Sequence, residues 1–163
     1  MRMRAVCCLL AILLLAFTST ACGPLVDLRV ALEIQDISTG WFDAGIVNGK
    51  NKLVPTMTFT LRNKSDQTLS MLQINAVFRR VTEKEEWGNG FLTAAGSQGL
   101  APGATSSPLT VRSQLGYTGT DSRQQMFQNP LFLDANVELF AKYRSAQWTR
   151  IGEYPIARQL LAP

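Results

Sequence analysis

Met57, Phe59 and Leu61 alternate with Thr56, Thr58, Thr60 and Arg62, a pattern that suits one face of an extended strand and no face of a helix. The same period of two recurs along the chain. Leu72, Ile74, Ala76 and Phe78 stand against Gln73, Asn75 and Arg79, and Val137, Leu139, Ala141 and Tyr143 against Glu138 and Lys142. Leu109 and Val111 give a shorter case. Leu25 to Ile34 reads likewise, with Val26, Leu28, Val30, Leu32 and Ile34 on one face and Asp27, Arg29 and Glu33 on the other. Trp148 to Ile156 predicts a last strand. Turn chemistry falls at Ser38-Thr39-Gly40, Asn48-Gly49, Asn63-Lys64-Ser65-Asp66, Gly88-Asn89-Gly90 and Pro102-Gly103. Asp121 to Gln128 predicts one helical turn, stopped before Pro130. Half-buried strands joined by short polar turns predict an all-β fold, an antiparallel β-sandwich of about seven strands.

The N-terminus has a different character. Arg2 and Arg4 precede an uncharged apolar run from Ala5 to Phe17, and small residues follow from Thr18 to Ala21. Thirteen residues reach only about 20 Å as a helix, against about 30 Å for a bilayer core, so a cleaved export signal is favoured over a spanning helix. Ser19-Thr20-Ala21-Cys22 resembles the lipobox of bacterial lipoproteins, with Ser19 where that family usually has leucine. The resemblance implies acylation of Cys22 as the new first residue. An ordinary signal-peptidase site, Ser19-x-Ala21, fits the same bond and would leave a free thiol. The cysteine count favours the first reading. Cys7 and Cys8 leave with the signal, and Cys22 then has no disulfide partner within the chain. The expected organisation is a signal peptide over 1–21, an acylated cysteine and very short tether over 22–24, and one sandwich domain over 25–163.

Cleavage removes two of the sixteen basic residues, so the formal +4 falls to about +2. That is too weak a balance to argue for nucleic acid. The 142 residues from Cys22 to Pro163 suffice for one core without disulfides. Two or three acyl chains at about 0.8 kcal/mol per buried methylene hold firmly. With only Gly23 and Pro24 before the patterned region, the domain is expected close to the bilayer. Gly23 also favours the outer membrane, because in enterobacterial lipoproteins an aspartate at that place retains the protein at the inner one.

The stretch from Thr58 to Arg80, TFTLRNKSDQTLSMLQINAVFRR, resembles the central hairpin of small bacterial immunoglobulin-like domains, including the group called FxLyD. Leu100 to Val111 is similar to their later turn. Phe78-Arg79-Arg80-Val81 stands where that group has an aromatic-Asp ending. The resemblance implies an immunoglobulin-like sandwich in the envelope and carries no reaction or functional residues with it.

Chemistry-bearing residues are few. The chain has no histidine, the commonest general base and metal ligand. Ser-x-x-Lys and Gly-x-Ser-x-Gly are absent from the sequence. Glu83, Glu85 and Glu86 lack EF-hand spacing and read as a solvated loop. No enzyme, metal or cofactor is expected. The unusual segment is Thr39 to Lys52, where Trp41 and Phe42 adjoin, an Asn-Gly turn follows, and Lys50 and Lys52 give a basic loop tip. Adjacent strand residues face opposite ways, so Trp41 and Phe42 cannot both enter the core. One reading makes Trp41, Phe42, Lys50 and Lys52 a contact site for a partner, acidic lipid heads or polysaccharide. The other is a wide hairpin closed by a type I′ turn. Trp87 and Trp148 suit core packing or sugar stacking, and Leu160 and Leu161 either close the sandwich or form an apolar handle. The expectation is a lipid-anchored, periplasm-facing accessory module with an envelope protein partner. The alternative is a glycan- or small-ligand-binding lipoprotein using Trp41, Trp87 or Trp148.

Overall fold

A computed structural model describes residues 26–162. The expected signal peptide over 1–21 and the expected acylated cysteine and tether over 22–24 lie outside the described residues. Val26 leads into a single helical turn, α1 (Leu28–Ala31), and a long first strand, β1 (Leu32–Val47). The strands that follow are β2 (Lys50–Asn63), β3 (Leu72–Arg80), β4 (Gly88–Ala95), β5 (Leu109–Arg112) and β6 (Tyr117–Gly119). A second helical turn, α2 (Arg123–Met126), precedes β7 (Ala135–Tyr143) and β8 (Thr149–Pro155).

Two four-stranded antiparallel sheets result. In the first, β2 pairs with β1 on one side and with β5 and β6 on the other; the second runs β4-β3-β7-β8. The all-β sandwich read from the alternation is therefore the fold, with eight strands. Met57, Phe59 and Leu61 face Leu72, Ile74, Phe78, Val137 and Leu139 across the interior, all fully buried. Burying each such side chain contributes about 1.5–3 kcal/mol.

Three local expectations change. Leu28 to Ala31 is helical rather than extended, because the Asp27 carboxylate accepts the Arg29 N–H at 3.0 Å and caps a turn there. Val30 is left exposed by it. Ser38-Thr39-Gly40 is no turn: the chain stays in β1 through a register shift between Gln35 and Ser38, with Asp36 at φ 52°. Gly88-Asn89-Gly90 opens β4. A Cβ at Gly90 would stand 2.7 Å from the Arg112 carbonyl oxygen, so these glycines serve the close approach of β4 to β5 rather than a turn.

Register fixes which residues share an end. Leu32 pairs with Asn63 where the chain enters the sandwich, and Leu72 pairs with Tyr143 at that same entry end. The buried Asn63 holds it together. Its amide donates to the carbonyls of Gln67 and Leu100, and its Oδ1 accepts from the Ser65 N–H and hydroxyl. Val47 pairs with Lys50 at the opposite, far end, where Arg80 also pairs with Ala135. Thirteen residue steps of β2 separate the two ends, roughly 43 Å of strand path. Gln159 to Leu161 lie along the outer edge of β1: Trp41 N–H donates to the Gln159 carbonyl at 2.8 Å, and Leu161 N–H to the Trp41 carbonyl at 3.0 Å.

Candidate functional site at the far end

The segment from Thr39 to Lys52 is the outer half of the β1–β2 hairpin. Asn48 and Gly49 have φ of 52° and 74°, the two positive values that a two-residue type I′ turn requires. Lys50 is exposed beside that turn, and Ile46 just before it is 69% exposed. Lys52 is half-buried, and its Nζ donates to the Gln114 carbonyl at 3.1 Å. Phe42 faces outward as a strand neighbour of Trp41 must, half-covered by the Arg112 guanidinium at 3.7 Å from its ring.

Trp41 is not a surface residue. It is fully buried, with Phe132 at 4.6 Å, Trp87 at 6.1 Å and Phe127 at 6.4 Å between ring centroids. Its indole Nε1 has no hydrogen-bond partner among the described residues. The partner contact expected of Trp41 is therefore corrected: the alternation that turns Phe42 outward turns Trp41 into the core. Lys50 and Lys52 both lie at the far end, Lys50 exposed and Lys52 held by the Gln114 carbonyl.

Asp43 secures the hairpin. Its carboxylate accepts the Gly45 N–H at 2.9 Å and lies 2.5 Å from the Arg123 guanidinium of α2. The Gly45 hydrogen bond first, and Arg123 second, hold its carboxyl below the ordinary 3.8. Asn51 adds a side-chain bond to the Asp121 carbonyl at 2.8 Å. Ser122 caps α2 through a reciprocal capping box with Gln125.

Beside the hairpin, at the same end, lies an open cleft of about 260 Å³ lined by Arg80, Trp87, Tyr117, Thr118, Leu131 and Leu133. The Arg80 guanidinium lies 4.9 Å over the Trp87 ring and donates to Glu83 at 2.9 Å. Leu131 on the rim is 75% exposed, and Val81 and Leu115 at this end are also exposed. Sequence reading missed this cleft, since its walls come from four separate segments. A signal was present in Pro130-Leu131-Phe132-Leu133, an apolar run in a loop, of which Phe132 is buried and Leu131 is not.

The carboxylates of the β3–β4 loop are dispersed: Glu83 pairs with Arg80, Glu86 accepts from Asn89 at 2.6 Å, and Glu85 is exposed. Among the described residues, no three acidic or cysteine side chains converge to hold a metal ion. The remaining tryptophan, Trp148, is 40% exposed at the entry end and makes an edge contact with Phe91 at 6.2 Å. The three tryptophans thus occupy the core, the far-end cleft and the entry end. Leu160 is partly exposed on the β1 edge, and Leu161 packs toward Gly40.

No protein-family model matches the chain, and no curated protein matches it. Among solved structures, an X-ray structure of a Northeast Structural Genomics Consortium target, SoR45, is similar with a TM-score of 0.44 at 12% identity. The match covers 80% of this chain and 89% of that one. Nothing about function follows from so distant a likeness. No helix among the described residues is long and apolar enough to cross a membrane.

Proposed function

We propose that this protein is a non-enzymatic binding module of the bacterial envelope, anchored through acylated Cys22 and presenting its far end to a larger envelope protein. The observation that carries the reading is the exposure of Ile46, Val81, Leu115 and Leu131 at the end that also holds an aromatic-walled cleft, with Leu131 on the rim of that cleft. Exposed apolar side chains grouped around desolvated aromatic anchors are the composition of a protein contact. Geometry favours the same division of labour. From Cys22 to Val26 is four residue steps, at most about 15 Å, so the anchor belongs with the entry end and the far end points away from the bilayer. Gly23 favours the outer membrane on the periplasmic side. A chain without histidine, and with Cys22 as its one cysteine after cleavage, supports a binding role over catalysis.

The test has two arms. Intact mass of the membrane-extracted protein is expected to show diacylglycerol on the Cys22 fragment, and an unmodified thiol there refutes the anchor. Capture through a C-terminal tag is expected to recover one stoichiometric partner that Leu131→Asp or Ile46→Asp releases. A partner retained by both variants refutes the far-end interface. Trp87 and Tyr117 flanking the cleft favour one alternative, a glycan ring stacked between them. Envelope oligosaccharides would then change tryptophan emission in the wild type but not in Trp87→Phe.

A further inference from the structure

We infer that the entry end of the sandwich docks on the anionic surface of the bilayer that holds Cys22, so that the anchored domain is oriented rather than swinging freely. The inference rests on the lipid-anchored reading and adds a second, reversible membrane contact to it. Three apolar side chains project from this end: Val30 of α1 at 72% exposure, Met71 ahead of β3, and Trp148 ahead of β8. Register brings them together, because α1 packs beside β8, and the Arg144 N–H after β7 donates to the Met71 carbonyl. A shallow groove of about 370 Å³, walled by Val26, Val30, Ala31 and Lys64, lies between α1 and the β2–β3 connection.

Charge at this end has one sign in excess. Lys64, Lys142 and Arg144 pair with no carboxylate among the described residues. Asp27 and Arg29 neutralise each other at 2.9 Å, and Glu33 and Arg62 are cross-strand partners. The remaining acids of this half are Asp66 and Asp36, the latter accepting from the Thr60 hydroxyl, against the three unpaired cations. Glu83, Glu85, Glu86, Asp121, Asp134 and Glu153 lie toward the other end. Lys142 Nζ stands 5.8 Å over the Trp148 ring, and the Arg144 guanidinium 4.9 Å over Tyr143. A tryptophan flanked by unpaired cations is the composition of a headgroup-level contact: the indole enters the interface while the cations meet lipid phosphates. The four residue steps from Cys22 to Val26, at most about 15 Å, keep this end nearest the anchor.

The test uses the membrane-extracted wild-type protein, reconstituted into phosphatidylcholine vesicles with and without phosphatidylglycerol, with nitroxide-labelled lipid headgroups as quenchers. Headgroup quenching of tryptophan emission is expected in the anionic vesicles, reduced by salt, and lost in Trp148→Phe. Lys142→Glu with Arg144→Glu is expected to lower the headgroup quenching in anionic vesicles to the level seen in phosphatidylcholine alone. Trp87→Phe is the control, expected to leave quenching intact. An acylated protein whose Trp148 is not quenched overturns the docking and keeps the anchor. Quenching insensitive to lipid charge and salt overturns the electrostatic contact. Salt-sensitive quenching with no acyl group at Cys22 supports the docking and refutes the anchor.

Discussion

Trp41 distinguishes a core residue from a contact residue, and two substitutions there have different expected costs. Trp41→Ala empties a fully buried site touched by Trp87, Phe127 and Phe132, which for a large aromatic costs about 3–5 kcal/mol. That is a large part of the roughly 5–15 kcal/mol available to a domain of this size. Trp41→Phe removes about three side-chain atoms, costing about 2 kcal/mol at roughly 0.8 per methylene-sized group. It also removes the buried indole N–H that has no partner, and leaving such a donor unsatisfied costs about 1–3 kcal/mol. The two effects oppose, so Trp41→Phe is expected to change stability by less than about 1 kcal/mol. Guanidinium unfolding followed by far-UV circular dichroism reads both variants, with a shifted midpoint at constant slope reporting stability alone. A loss above about 2.5 kcal/mol in Trp41→Phe refutes the reasoning, since the N–H must then have a partner worth keeping. Loss of a captured partner in Trp41→Ala reports damage to the fold, whereas the same loss in Ile46→Asp or Leu131→Asp reports the interface.

Three further outcomes are expected. Gly40→Ala places a Cβ 2.8 Å from the Leu161 side chain and 2.9 Å from the Gln159 carbonyl, lifting the tail from β1. Hydrogen exchange at the Trp41 and Leu161 amides is expected to quicken, at about 1 kcal/mol net cost after the intrinsic gain of alanine over glycine in a strand. Asn63→Ala leaves the Ser65 N–H without its acceptor, while the Leu100 carbonyl keeps the Leu69 N–H and the Gln67 carbonyl keeps the Ser65 hydroxyl, and is expected to cost about 1–3 kcal/mol by denaturant melt. Asp43 has a lowered folded-state pKa, so its contribution is present above 3.8 and is lost as pH falls through the depressed value. Because the Gly45 N–H is the larger cause, carboxyl NMR titration of Arg123→Ala is expected to find Asp43 still below 3.8; a return to 3.8 makes Arg123 the main cause.

What was legible in the sequence was whatever alternation and turn chemistry encode. β2, β3 and β7 alternate cleanly because one face of each meets the core. Asn48-Gly49 gave its turn through the positive φ that few other residue pairs accept. Leu28 to Ala31 misled, since its alternating residues also suit a helical turn, and the deciding Asp27 cap is a single hydrogen bond. Gly88 and Gly90 misled for another reason: contact between sheets asks for glycine as firmly as a turn does. At the far end, facing-out logic required that Trp41 and Phe42 point apart, but which one entered the core depended on the strand register. The cleft of Arg80, Trp87, Tyr117 and Leu131 joins residues up to 51 positions apart, and no local period reports such a meeting.

The outer edge of β1 bears on how the molecule behaves among copies of itself. Sixteen residues of strand with one unpaired side form a template for adding chains, and repeated addition builds a fibre. Register shifts divide the β1 pairing into runs of four, six and two residues, Leu32–Gln35, Ser38–Asp43 and Ile46–Val47. Stacked fibrils draw on segments of about six residues, and the one run of that length carries the tail at its centre, on Trp41. Gln159 to Leu161 thus cover the one β1 run long enough to take on a further strand, and a chain ending before Gln159 is expected to self-associate through it.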